Sequence, residues 1–306
     1  MKSIVGFFCF VSIMISAAYG ETTVYGKPYA FSGTVYTGFY YGTSYEIVYR
    51  DSRGGEYLSE LQWELKPLLF MGLGLSLEPI HSSGKYRGFF TSLNLKAGLP
   101  AVTGTMEDRD WLIPGTFTNF SSHTNRLNAA VLLTVDAGYS FSVTDRFFLR
   151  VFSSLDYSYF KMEGWNGYRS YAEDNWEIIP FSGQVIRYTQ HWFLFSPGIC
   201  AGFILDRLTI KGAVKVTPFI FCTGEDDHLL TSTRYNDYMI GTFAIEPALD
   251  LSYTLSPHLE GGFACSYRFI TGTRGNTVEN YSNYYLNTAG AGLRLFESSI
   301  YLKFVF

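Results

Sequence analysis

The chain has 306 residues, of which 16% are charged and 18% aromatic, with 24 Tyr, 27 Phe and 30 Gly and a formal net charge of −4. Soluble domains usually carry about a quarter charged residues, so this composition argues against an ordinary soluble globule. The mild acidity argues against nucleic acid as a partner.

Met1–Gly20 reads as a secretion signal. Lys2 supplies the positive start, Ile4–Ile15 an apolar core, and Ala18-Tyr19-Gly20 a small-x-small cleavage site before Glu21. The apolar run is too short to span a bilayer as a helix. Residues 21–306 have no linker or low-complexity tract and read as one domain. Cys200, Cys222 and Cys265 are an odd number in apolar runs, which excludes a complete disulfide framework and makes them packing residues.

The dominant period is two. Leu208, Ile210, Val214, Val216 and Ile220 alternate with Arg207, Thr209, Lys211, Lys215 and Thr217. Leu259–Phe269 and Ile300–Phe306 repeat the pattern, with aromatics toward the ends. Long alternating runs with one apolar face and terminal aromatics describe an antiparallel membrane-spanning β-barrel; a soluble sandwich would show the period over shorter strands. Connections alternate between short turns (Ser142–Asp145, Leu205–Asp206, Ser256–His258) and long polar segments (Arg50–Glu56, Gly104–Arg126, Gly164–Tyr188, Thr223–Tyr238, Thr273–Asn283). Five long segments predict about ten strands, with the long loops outside the cell.

Two of the polar segments carry paired functional groups. Asp108 and Asp110 lie two residues apart, as do Asp226 and His228; at that spacing in extended chain both side chains point to one face. Two converging carboxylates can share a proton, and an Asp beside a His orients the ring and stabilises its charged form. If Phe89, Leu93, Leu95 and Ala97 face lipid, parity carries Phe90, Ser92, Asn94 and Lys96 on to inward-facing Asp108 and Asp110. Asp226 and His228 share parity with lipid-facing Val214, Val216 and Ile220, so an inward aim requires a bulge between Phe221 and Asp226, with Gly224 as its expected place. On residue chemistry alone, the first pair also fits a solvated acidic surface or a calcium site, and the second a solvated loop or part of a zinc site. No HExxH or paired-His spacing supports a metal, and no cofactor is expected.

Ser59–Leu75 (SELQWELKPLLFMGLGL), Gly104–Trp111 (GTMEDRDW), Pro114–His123 (PGTFTNFSSH), Gly224–His228 (GEDDH) and Thr273–Thr277 (TRGNT) together resemble the omptin family of outer-membrane proteases. The match runs in order along nearly the whole chain after the signal. The resemblance implies a ten-stranded barrel in the outer membrane of a Gram-negative-type bacterium, with its active site facing the cell exterior. It implies an aspartic-type endopeptidase that cleaves exposed polypeptides at the cell surface next to basic residues, by water activated between an Asp pair (Asp108, Asp110) and an Asp–His couple (Asp226, His228). Ser121 and His123 match a supporting pair, and Glu46 matches the acid of the pocket for an Arg or Lys before the scissile bond. Three departures accompany it. Gly224 replaces a second pocket carboxylate, with Glu225 and Asp227 beside it as candidates to compensate. Asn119 replaces a family acid, which weakens any preference for basic residues after the cut. The family's outer-face lipopolysaccharide set aligns with Phe152, Ser154 and Asp156, which lack a basic residue and make dependence on that glycolipid doubtful, although membrane lipid itself remains an expected partner. Two other readings are a catalytically silent barrel acting as an adhesin or structural protein, and a passive porin.

Overall fold

The period-two pattern closes into a ring. A computed structural model of the chain describes residues 22–24, 27–51, 55–79, 87–241 and 243–306; the expected signal, Met1–Gly20, lies outside them. Ten antiparallel wall strands succeed one another in chain order. They are β1 (Lys27–Tyr49), β2 (Tyr57–Pro79), β3 (Gly88–Gly98 and Ala101–Asp110), β4 (Asn119–Ser142), β5 (Phe147–Tyr171) and β6 (Ile179–Leu205). After these come β7 (Leu208–Thr217 and Phe219–His228), β8 (Thr233–Gly241 and Ala244–Ser256), β9 (Leu259–Ile270 and Arg274–Glu279) and β10 (Asn283–Val305). β10 pairs back onto β1, from Ala289↔Val48 to Val305↔Ser32. Closure leaves the wall no unpaired edge.

Lipid-facing positions form an apolar band: Phe89, Leu93, Leu95, Val151, Leu155 and Ile199 are 41–65% exposed. Above it the outward positions become ion pairs, Glu64 with Lys66, Glu107 with Arg109 and Glu225 with Arg234. The strands continue through this change. The five long connections exist, but most of their residues are wall: only 111–118, 172–178, 229–232 and 280–282 separate the strands where far longer loops were expected. Above the lipid a strand meets water outside and a polar lumen inside, so the hydropathy signal vanishes while the backbone ladder persists.

The lumen is packed rather than open. Tyr40, Trp63, Phe70, Phe160, Tyr188 and Trp192 are each at most 1% exposed and form one layer across it. A passive porin needs a clear bore, and this layer stops it. Below the layer sits a buried charge network in which Asp156 bonds Lys215 (3.1 Å) and Arg268 (3.0 Å). Ser154 (0% exposed) and Asp156 (4%) therefore face the lumen, and Phe152 borders the cavities there. They cannot be an outer-face glycolipid set, so the doubt they cast on lipopolysaccharide dependence has no basis. The outward residues of β5 beside them are Val151, Ser153, Leu155 and Tyr157.

Between band and rim, several strands gain or lose one residue, and a bulge of one residue reverses which parity faces inward. On β2 both Leu65 and Leu68 point into the core, with Lys66 and Pro67 between them. On β7 Thr217 and Ile220 are both buried while Phe219 is 54% exposed. There Lys215 opposes Gly198 and Phe219 opposes Phe195, so β7 carries one residue more than β6 across the break at Pro218. Proline has no N–H to give the ladder, and a break of this kind accommodates it.

Candidate active site

Each half of the site reaches the lumen through these breaks. On β3 simple parity gives the right face by cancellation. Inward parity is even up to Gly98, changes to odd at Leu99-Pro100 so that Thr103 is buried, and returns to even where Gly104, at φ +122°, makes a second bulge. Met106, Asp108 and Asp110 then face inward. On β7 the expected bulge exists but lies at Pro218, not at Gly224; Ile220, expected in lipid, is fully buried. Gly224 sits in regular register, opposite Gln190 and Asp237.

Asp108, Asp110, Asp226, His228, Glu46 and Asp237 line one cavity of about 550 Å³ on the extracellular side of the aromatic layer. His228 Nε2 lies 2.6 Å from Asp226 Oδ2, and the Asp226 carboxylate is almost completely buried. Burial opposes the charged imidazole, but the Asp226 charge and hydrogen bond outweigh it, and the His228 pKa rises to about 9. Across the cavity Ser59 donates to Asp108 Oδ1 at 3.0 Å. Burial and the Asp110 charge push Asp108 up to about 7; burial also raises Asp110. At neutral pH the two carboxyls therefore share a proton while the Asp226–His228 couple is ionic. The two couples feel one another across the cavity, since the charges of Asp108 and Asp110 add to the elevation of His228.

Glu46 lies beneath them, 3% exposed on β1, with Oε2 lacking a hydrogen-bond partner among the described residues. Burial first, then the charges of Asp226 and Asp237, hold its pKa well above the ordinary glutamate range. Glu225 and Asp227 do not compensate for Gly224. They point outward and pair with Arg234 (2.5 Å) and with Arg187 and Arg234 (3.7 Å each). Asn119 begins β4, paired with Asp110 and Tyr171.

Ser121 and His123 form a pair of their own. The His123 Nδ1 donates to the Asn166 carbonyl at 2.5 Å, which leaves Nε2 to accept the Ser121 hydroxyl at 3.0 Å. A serine thus has both a base and an orienting group, an arrangement sequence reasoning did not find. Both residues are buried, however, His123 stacks on Phe181 at 5.5 Å, and neither lines the cavity. Sequence reasoning also missed Ser59 and Asp237. Ser59 was within reach as the residue opposite Asp110 on the neighbouring strand. Asp237 was within reach by counting back from the turn at 229–232, since the rungs of that hairpin fall symmetrically about it.

Comparison with known proteins agrees with this architecture. The chain is 23% identical over 310 residues to the outer membrane protease OmpP of Escherichia coli K12, covering 96% of each chain. It superposes on the crystal structure of outer membrane protease OmpT from Escherichia coli with a TM-score of 0.79 at 18% identity, covering 90% of this chain and 97% of that one. The model of the omptin family matches residues 27–306. With a ten-stranded wall, a stopped lumen and a family match over nearly all of its length, the chain belongs to the omptin family.

Proposed function

We propose that the protein is an outer-membrane endopeptidase, secreted by way of Met1–Gly20, that hydrolyses exposed polypeptides next to basic residues with activated water. The observation that carries this reading is geometric: the Asp108/Asp110 pair and the His228–Asp226 couple, joined at 2.6 Å, line one cavity on the extracellular side. The OmpP relative is itself an outer membrane protease, which supports this reading.

In this reading a water between the couples attacks the scissile carbonyl. Asp226 holds Nε2 of His228, so Nδ1 takes the water proton. The shared proton of Asp108/Asp110 is directed at the carbonyl oxygen and stabilises the negative charge that develops there. Collapse of the tetrahedral intermediate passes the proton from His228 to the leaving amine. Glu46 holds the cationic side chain before the cut, by charge-assisted hydrogen bonds. A silent adhesin has no use for buried carboxylates held above their ordinary range, each of which costs free energy unless ligand binding or reaction recovers it.

The pH dependence tests this assignment. Catalysis needs neutral His228 and a proton on the Asp pair, yet the pKa values of about 9 and about 7 favour the opposite state. The active form is then a minority, about one molecule in a hundred near pH 8 by the two ionisations. The rate profile is still bell-shaped: kcat/KM rises through about 7 and falls through about 9. Asp226→Asn removes the charge that raises His228, so the upper limb should move down by more than one pH unit in whatever activity remains. An upper limb that stays at its wild-type position would detach His228 from the mechanism.

A further inference from the structure

The position that lacks a side chain is occupied from the next strand. Gly224 and Asp237 face each other on one rung of the β7–β8 ladder. A Cβ built on Gly224 would come within 3.4 Å of Asp237 Oδ2 and 3.1 Å of the Tyr188 hydroxyl. Asp237 therefore projects into the space that a side chain at 224 would use. It is 5% exposed and lines the same cavity as Glu46. One oxygen, Oδ1, accepts the Thr277 hydroxyl at 2.7 Å, which fixes the carboxylate and leaves Oδ2 facing the vacated volume. Glu46 lines the same cavity and carries a buried oxygen, Oε2, without a hydrogen-bond partner among the described residues.

The geometry points to Asp237, acting with Glu46, as the specificity-determining acid that binds the guanidinium or ammonium of the residue before the scissile bond. This rests on the endopeptidase reading above. Glu46 on β1 and Asp237 on β8 line one cavity of about 550 Å³, where a cation can meet both. Burial raises Asp237 to about 7 and holds Glu46 well above the ordinary glutamate range, so the empty pocket carries less charge than its composition implies. An entering cation restores the anions, and the pocket binds with proton release. A neutral side chain gains nothing of this and leaves buried carboxyls behind. The planar fork of arginine can engage both acids at once, whereas lysine offers a single point charge. Adding an acid at Gly224 alone would not sharpen this selectivity, because the new carboxylate would be pressed against Asp237 and Tyr188.

The test exchanges the rung. Peptides varying only at the residue before the cut are digested by folded wild-type barrel, by Asp237→Asn, by Asp237→Gly and by the double variant Gly224→Asp/Asp237→Gly. The preference for Arg over a neutral residue, read as a ratio of kcat/KM, should fall about 10- to 100-fold in both single variants, the range for losing a hydrogen bond to a charged group. It should return in the double variant, where the acid stands across the same rung. A merely structural Asp237 would lower turnover on all peptides together and would not be rescued. Unchanged Arg preference in Asp237→Asn overturns the assignment, as does a double variant that folds but stays indifferent to charge. Failure of the single variants to fold leaves the double variant to decide. Wild-type barrel that cleaves none of the peptides would instead sink the endopeptidase reading, a result distinct from all of these.

Discussion

His228→Ala is expected to lower peptide cleavage by about 10²–10⁴-fold, the range for loss of a positioned general base, while the barrel stays folded. The side chain ends a strand at the rim of the cavity, 36% exposed, so its removal opens no void in the core. Asp226→Ala should cost a similar factor for another reason. It removes the group that holds Nε2 at 2.6 Å and keeps the ring oriented. It also leaves His228 in a cavity already rich in carboxylates, so partial rescue by added imidazole should be seen for His228→Ala and not for Asp226→Ala. The parallel variant is Ser121→Ala. Ser121 and His123 have the geometry of a nucleophile and base, but they stand outside the cavity, so this change should cost less than about tenfold. If Ser121→Ala abolished cleavage while folded His228→Ala retained it, the water mechanism would give way to an acyl-enzyme on Ser121. Fold is read by the different electrophoretic mobility of unheated and heated barrel in detergent.

Trp63→Ala should be the most damaging single change to stability, at about 3–5 kcal/mol for loss of a buried Trp. Trp63 is fully buried on β2 and stacks on Tyr188, ring centroids 5.7 Å apart at 18°. Both rings belong to the layer that separates the catalytic cavity from the charged lower lumen. Removing one breaks the stack and joins a dry layer to a polar space, with loss of dispersion contacts on every facing side chain. Activity should fall with it, since Tyr188 pairs in register with Asp226. Trp63→Phe separates packing from hydrogen bonding. The indole nitrogen of Trp63 has no partner among the described residues, and deleting an unsatisfied buried donor removes a penalty, so Phe should cost well under half of the Ala value. Denaturant midpoints of detergent-folded variants measure this. A Trp63→Ala midpoint equal to wild type would mean that the layer does not brace the wall.

The sequence revealed the site's chemistry more readily than its orientation. Alternation in Leu208–Val216 and Leu259–Phe269 was enough for the barrel, because lipid outside and a polar lumen inside impose period two. The same reasoning failed above the lipid, where Gly104–Asp110 and Asn119–Arg126 are paired wall strands that read as loop. Their outward faces are wet and charged, and their inward faces bury the mainly polar Ser121, His123 and Asn125 beside Met106, so neither face carries an apolar alternation. Parity extrapolated from the band was unreliable for the same reason. It gave Asp108 and Asp110 the correct face because two reversals cancel, and it placed Ile220 in lipid because Pro218 was not recognised as the break. Prolines at 67, 100 and 218 were a partial signal, since Pro197 and Pro247 sit in strands whose register is unbroken. Asp237 escaped notice because no motif contains it; its role emerges from the register opposite Gly224, which a local pattern does not show.

If Asp108, Asp110, Asp226 and His228 make this barrel a peptide hydrolase with a cation-binding pocket, an unbiased peptide library will expose both properties at once. The library is digested by detergent-folded wild-type protein, and every new terminus is identified by mass spectrometry. The expected result is rapid internal cleavage, new C-terminal residues dominated by Arg and then Lys, and one solvent oxygen incorporated at each cut. No cleavage by a verified folded barrel, or cleavage indifferent to the charge of the residue before the cut, would contradict it.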